Sequence, residues 1–163
     1  MSEHSERELQ AKVVTVSDGV VAGTRKNASG EALKARLAEA GWSVVDHRIV
    51  ADGVESVRDI LIELADGFTG VIVTTGGTGF GPRDLTPEGT ALALERQAPG
   101  MAEAMRTVNP NGLGRLSRAI AGTRGTALIL NTPGSTKGAV ETLEAVLDVL
   151  GHAVDLMAGG RPH

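Results

Sequence analysis

Short runs rich in β-branched residues alternate along this chain with stretches in which apolar residues recur every three or four positions. The first pattern predicts buried strands and the second amphipathic helices, because side chains repeat every 2 residues in a strand and every 3.6 in a helix. Strands are expected at Lys12 to Ser17, Ser43 to Val50, Gly70 to Thr74 and Thr126 to Leu130. A helix capped by Ser29 is expected from Gly30 to Ala40, with Leu33, Leu37 and Ala40 on one face and Gly41 as its stop. Val57, Ile60, Leu61 and Leu64 mark a second helix, closed by Asp66 and Gly67. Thr86, Pro87 and Glu88 open a third as N-cap, first-position proline and early acid. Gly100 to Val108 predicts a fourth, ended by Asn109 and Pro110. The last helix is expected to run unbroken from Lys137 to about Met157 and to bury Leu143, Val146, Leu147, Leu150 and Val154.

Strands alternating with helices predict an α/β fold with helical layers on a mostly parallel sheet, three layers in α/β/α order. Periodicity leaves Ser117 to Thr123 ambiguous, and its glycine boundaries, Gly112, Gly114 and Gly125, favour a short strand. No Pro-, Gly- or Ser-rich linker, internal repeat or low-complexity tract divides the chain. One domain is expected over residues 11–158, with tails at 1–10 and 159–163.

Composition narrows the function. Of 163 residues 41% are apolar but only 2% aromatic, so the core is aliphatic and stacking on nucleic-acid bases is disfavoured. A net charge of -4 and a pI near 5.6 argue against a general polyanion binder, and no nucleic-acid partner is expected. The chain has no cysteine, which excludes disulfides, thiolate metal sites and a cysteine nucleophile. His4, His47, His152 and His163 lack ligand spacing, so no zinc site is expected. Met1 to Gln10 is polar with mixed charge, and no apolar run approaches the roughly 20 residues of a membrane span. A cytoplasmic location without membrane contact is the expectation.

The chemistry concentrates in Thr74 to Asp84, TTGGTGFGPRD, directly after an apolar strand. Glycine lets backbone approach a ligand closely, free N–H groups suit an anion, and Asp84 suits the Mg²⁺ that accompanies phosphates. The loop is not a dinucleotide fingerprint, since Pro82 stands where the third glycine belongs, and it lacks the Gly-Lys-Ser/Thr of a Walker A loop. A bare glycine cluster reads as a tight turn; the flanking Arg83 and Asp84 make this one a candidate nucleotide site. Three other polar loops also follow strands: Ser17-Asp18-Gly19, Ala51-Asp52-Gly53 and Asn131 to Gly138. Ligands of open α/β sheets bind beyond the carboxyl ends of strands, which places all four loops on one rim.

At this point the sequence resembles the MogA/MoaB-type molybdenum cofactor biosynthesis proteins, which include molybdopterin adenylyltransferases and the related domain of gephyrin. The likeness is carried by TTGGTG at 74–79, RDLTPE at 83–88, PGMAEAMR at 99–106, LSRAIAG at 116–122 and NTPGSTKGA at 131–139, and spans Val13 to His152. It implies a sheet with one antiparallel strand near an edge. It also implies transfer of AMP from Mg-ATP to the terminal phosphate of molybdopterin, releasing pyrophosphate. That chemistry needs positioning and charge neutralisation more than a protein nucleophile.

By position in the family pattern, Asp52 and Asp84 would be the catalytic acids, holding Mg²⁺ directly or through water. Thr75, Gly76, Gly77, Thr78 and Gly79 would cradle a phosphate. Asn131, Pro133, Gly134 and Ser135 match the second glycine loop, on the pterin side. Ser17 and Asp18 would contact either substrate, and Ser117 and Arg118 the pterin or its phosphate. Without the resemblance, Asp52-Gly53 is an ordinary turn pair, Ser135 a helix cap and Arg118 a surface ion-pair partner. Glu103 and Arg106 are spaced for an ion pair, and Arg25-Lys26 for a solvated loop. Lys137, at a helix start where a cation is mildly unfavourable, hints at a nearby anion.

The chain departs from the family pattern at Asn27, where an acid is common, and at Thr132 and Thr136. The first removes a candidate cation ligand, which keeps open a non-catalytic molybdopterin-binding or carrier protein of the MoaB type. A single-domain relative of the molybdenum-insertion proteins would need domains that 163 residues cannot hold. The resemblance further implies a homo-oligomer, trimer or hexamer, and a molybdenum-insertion protein as the downstream partner.

Overall fold

The computed structural model describes residues 8–108 and 112–160. The chain runs β1 (Gln10–Val16), α1 (Asp18–Val21), α2 (Ala28–Glu39), β2 (Ser43–Val50), α3 (Val54–Ala65), β3 (Gly70–Thr75) and α4 (Thr86–Ala93). It continues with β4 (Arg96–Gln97), α5 (Pro99–Thr107), a 3₁₀ turn (Leu113–Leu116), β5 (Ala121–Arg124), β6 (Ala127–Thr132), α6 (Thr136–Glu144) and α7 (Leu147–Met157). The sheet order is β2-β1-β3-β6-β5-β4, in which β2, β1, β3 and β6 are parallel and β5 runs antiparallel to both its neighbours. This is the expected three-layer α/β/α fold with one antiparallel strand near an edge.

Every residue of β3 and β6 is buried, as a parallel sheet covered on both faces requires. Val13, Val71, Val73, Leu128 and Leu130 meet Leu33 and Leu37 of α2, Met105 of α5, Leu143 of α6 and Leu150 and Val154 of α7. On the opposite face Val14, Val16, Ile72 and Ile129 meet Val57, Leu61 and Leu64 of α3 and Ala93 of α4. Gly89 lets α4 lie tightly on α3: a Cβ there would stand 2.6 Å from the Val54 carbonyl and 2.7 Å from Val57 Cβ. That packing fixes the start of α3 directly after Asp52.

Several expectations need correction. The C-terminal helix breaks at Ala145 and Val146, where Val146 N–H bonds to the Leu143 carbonyl three residues back, and α7 starts anew. Leu143, Val146, Leu150 and Val154 remain buried across the break, so the apolar stripe is continuous and periodicity does not register it. Ser29 lies inside α2 rather than capping it, and Thr86 makes no capping bond to α4. Of Ser117 to Thr123 only Ala121 onward pairs as strand. Glu103 and Arg106 form no ion pair, because Arg106 donates instead to the Ala119 carbonyl at 2.6 Å. The first strand already begins at Gln10, Asn109 and Pro110 lie outside the described residues, and so do residues 1–7 and 161–163 of the expected tails.

Asn131 is fully buried at the end of β6, with its side-chain amide and its backbone N–H all hydrogen-bonded. Its Nδ2 donates to the hydroxyls of Thr74 and Thr90, each at 3.0 Å, its Oδ1 accepts from the Ile120 N–H at 3.1 Å, and its own N–H donates to the Ile120 carbonyl. One amide thus ties together β3, β6, α4 and the segment entering β5. A second polar cluster joins α2 to β1 and β2: the Thr15 hydroxyl donates to Asn27 Oδ1 at 2.7 Å, and Asn27 Nδ2 donates to His47 Nε2 at 3.0 Å. That leaves the His47 proton on Nδ1, 3.9 Å from Glu31. Burial lowers the His47 pKa, Lys34 adds to the lowering, and Glu31 and Asp46 oppose it.

Two outcomes follow. Asn131→Ala strands two hydroxyls and an N–H in the interior and is expected to cost on the order of 3 kcal/mol in urea unfolding, without a change in m. Because His47 binds its proton less readily folded than unfolded, the unfolded chain is protonated first as pH falls through 6.5. Stability is therefore expected to decline with falling pH from about that value down to the lower folded pKa, and His47→Gln to remove this slope when unfolding is titrated.

Candidate functional site

Because β1, β2, β3 and β6 are parallel, the loops after Val16, Val50, Thr75 and Thr132 emerge on one rim. The first two are cross-linked. The Asp18 N–H donates to Asp52 Oδ2 at 2.9 Å, the Asp52 N–H donates to Asp18 Oδ1 at 3.1 Å, and Arg83 donates to both Asp18 oxygens and to the Asp52 carbonyl. Ser17 caps α1 by accepting from the Val20 N–H. Asp18 and Arg83 are exposed, so their ion pair adds little stability; together with the crossed N–H bonds it fixes the direction of the half-buried Asp52.

The glycine loop after β3 turns through Gly76 (φ 104°) and Gly77 (φ 69°), conformations that side-chain-bearing residues rarely adopt. Asp84 closes its far end by accepting from the Gly81 N–H at 2.8 Å. Arg118 clamps it from outside: its N–H donates to the Thr78 carbonyl, and its guanidinium donates to the Gly79 and Asp84 carbonyls and to Glu88. Among the described residues the N–H groups of Gly77, Thr78 and Gly79 have no acceptor, which leaves them for an anion. The second glycine loop starts α6, where Ser135 accepts from the Gly138 N–H, and the Thr75 hydroxyl donates across to the Pro133 carbonyl at 2.8 Å.

Two clefts open on this rim. A polar one of about 700 Å³ is lined by Ser17, Asp52, Thr75 to Gly79, Asp84 and Pro133 to Ser135, with Arg25 and Lys26 at its edge. A more apolar one of about 400 Å³ is lined by Met105, Leu113 and Leu116, with Arg106, Ser117, Lys137 and Glu141 among its polar groups. Thr78, Gly79, Pro133 and Ser135 line both. Eleven of the residues picked out in the sequence therefore share the polar cleft, and Ser117 lines the second.

Three do not line either cleft. Asn131 is buried in its own network, Asp18 is held by Arg83 and Asp52, and Arg118 is engaged with the glycine loop and Glu88. Each sets the position of a loop rather than facing the cleft. Arg25 and Lys26, read as a solvated loop, are placed on the polar cleft; their glycine-flanked position was the available signal. Met105, Leu113 and Leu116 escaped notice because single apolar residues on a helix and a turn read as core.

Electrostatics sets the acids apart. Hydrogen bonds from Arg83 hold the Asp18 carboxyl below its ordinary pKa. Burial raises Asp52 above its own, and the charges of Asp18 and Asp84 raise it further. Asp52 Oδ1 and Asp84 Oδ1 have no donor among the described residues, so each acid presents one open oxygen. No cluster of three acidic or imidazole ligands exists among those residues. Two hard oxygen donors without a complete cage fit a Mg²⁺ that brings phosphate and water ligands with it.

Comparison with known proteins agrees with the geometry. Residues 12–152 match the family described as "Probable molybdopterin binding domain". A molybdopterin adenylyltransferase of Helicobacter pylori (strain J99) is 36% identical over 154 residues, covering 90% of this chain and 86% of that protein. That of Escherichia coli (strain K12) is 35% identical, covering 90% and 77%. The crystal structure of the molybdopterin biosynthesis enzyme MoaB from Thermus thermophilus superposes with a TM-score of 0.87 at 42% identity, covering 93% of this chain and 97% of that one. With five ordered sequence blocks, the sheet order and the rim of glycine loops in place, this chain belongs to the molybdopterin binding domain family of molybdenum cofactor biosynthesis proteins.

Proposed function

We propose that this protein is a molybdopterin adenylyltransferase, which transfers AMP from Mg-ATP to the terminal phosphate of molybdopterin. The observation that carries this reading is the meeting of the two clefts at Thr78, Gly79, Pro133 and Ser135, with Asp52 and Asp84 on the polar side. The nucleotide phosphates occupy the polar cleft against the N–H groups of Gly77 to Gly79. The pterin occupies the second cleft, its phosphate near Ser135 and Lys137. An oxygen of that phosphate attacks the α-phosphorus of ATP, the bond to the β-phosphate oxygen breaks, and pyrophosphate leaves with the bonding pair. Bound Mg²⁺ supplies charge neutralisation for the phosphates, and Asp52 and Asp84 are its ligands or orienting groups. No residue need act as nucleophile, so the protein works by aligning two anions that repel in water.

The carrier alternative leaned on Asn27. Its side chain is turned into the Thr15–His47 cluster and does not line the polar cleft, so a neutral residue there removes no cation ligand from the rim. We further infer a cytoplasmic homo-oligomer, trimer or hexamer, that passes its product to a molybdenum-insertion protein; these rest on the family resemblance.

Pyrophosphate release in the presence of molybdopterin, ATP and Mg²⁺ tests the reading. The parent is expected to release it, and Asp52→Asn and Asp84→Asn each to lose on the order of 100-fold in kcat, as removal of a charge-stabilising group does. Pterin binding without release would establish the carrier instead. Lys137→Ala is expected to raise the KM for molybdopterin ~10-fold, the loss of one charged contact, and to leave the KM for ATP in place. The reverse pattern would exchange the assignments of the two clefts.

A further inference from the structure

Among the described residues, the Thr86 hydroxyl is the buried side-chain polar atom without a hydrogen-bond partner. Thr86 is fully buried at the first position of α4, and it does not cap that helix. A buried hydroxyl left alone is destabilising, and valine would give the same shape without that burden. The hydroxyl therefore calls for a partner.

Its surroundings point to one. A Cβ on Gly77 would collide with Thr86 Oγ1 and would stand 3.3 Å from Asp52 Oδ1. The hydroxyl and the open oxygen of Asp52 thus converge on the bare Cα of one glycine. The other Asp52 oxygen is already held by the Asp18 N–H. The neighbouring Ser56 hydroxyl is engaged with the Ala51 and Gly53 carbonyls and does not compete. A donor lacking an acceptor and an acceptor lacking a donor flank Gly77, which itself lines the polar cleft.

Resting on the adenylyltransferase reading, we propose that Thr86 is the positioning residue of Asp52. Its hydroxyl donates to Asp52 Oδ1 across the bare Cα of Gly77, a contact that a small turn of the carboxylate completes. The carboxylate is then fixed from both sides, by the Asp18 N–H on Oδ2 and by Thr86 on Oδ1, and keeps its remaining lone pairs toward the nucleotide phosphates and their Mg²⁺. Outer partners of this kind change metal affinity by about 10–100-fold when removed.

The test compares Thr86→Val, which keeps the shape, with Thr86→Ser, which keeps the hydroxyl. The Mg²⁺ concentration giving half of the ATP-dependent rise in Tm is read beside the Mg²⁺ dependence of pyrophosphate release. Thr86→Val is expected to need ~10-fold more Mg²⁺ in both assays with a Tm no higher than the parent's, and Thr86→Ser to match the parent. A Thr86→Val protein that gains Tm and keeps the parent's Mg²⁺ dependence would show an orphan hydroxyl and overturn the assignment alone. If the parent itself shows no Mg-ATP response, the adenylyltransferase reading fails and this proposal with it.

Discussion

The buried amide of Asn131 is the joint on which the rim depends. It binds Thr74 on the neighbouring strand, Thr90 on α4 and both backbone groups of Ile120. The coupling continues outward, through Thr132 donating to the Thr74 carbonyl and Thr75 donating to the Pro133 carbonyl. The two glycine loops therefore leave the sheet in a fixed relation to each other. A polar network satisfied throughout in a low-dielectric interior rigidifies what it joins, whereas a half-satisfied one would loosen it. The chemistry proposed for this rim requires that rigidity, because the nucleotide phosphates are assigned to the backbone N–H groups of Gly77 to Gly79, which have no adjustable side chain.

Around that joint the protein places its charges in tiers. Arg83 and Arg118 face carboxylates and carbonyls of the loops, not the clefts, and so hold the loop shapes. Asp52 and Asp84 each surrender one oxygen to a backbone N–H and keep the other open. Burial and the charges of Asp18 and Asp84 raise the Asp52 pKa against the opposing Asp18 N–H and Arg83, a setting in which a neighbouring cation favours the carboxylate form. An aliphatic core whose aromatic members are Phe68 and Trp42 suffices for this architecture, since strands β3 and β6 are covered on both faces largely by Leu, Val and Ile.

Much of the fold was legible because each strand and most helices carry their own period. β2 follows its expected span, and the stop at Gly41 coincides with a positive φ of 92°. What stayed hidden depends on tertiary contact. The break at Val146 is silent because the apolar stripe continues through it. Arg118 and Glu88 are thirty residues apart, and nothing local announces that they clamp the loop between them. The polar-cleft residues were legible through glycine and acid spacing after strands. Asn131 stood out in the sequence as part of the loop system, but burial decides that it supports the site and does not touch the cleft. The apolar cleft was illegible, since Met105, Leu113 and Leu116 join it only when α5 and the 3₁₀ turn fold over the second glycine loop.

The proposed reaction joins an oxygen of the pterin phosphate, positioned across Thr78 and Ser135, to the α-phosphorus of ATP. The direct measurement follows ATP labelled at its α-phosphorus through incubation with the protein, molybdopterin and Mg²⁺. Label recovered on the pterin, with unlabelled pyrophosphate released, is the predicted result. Label found only in ATP or its hydrolysis products, with the pterin unlabelled, would contradict the account.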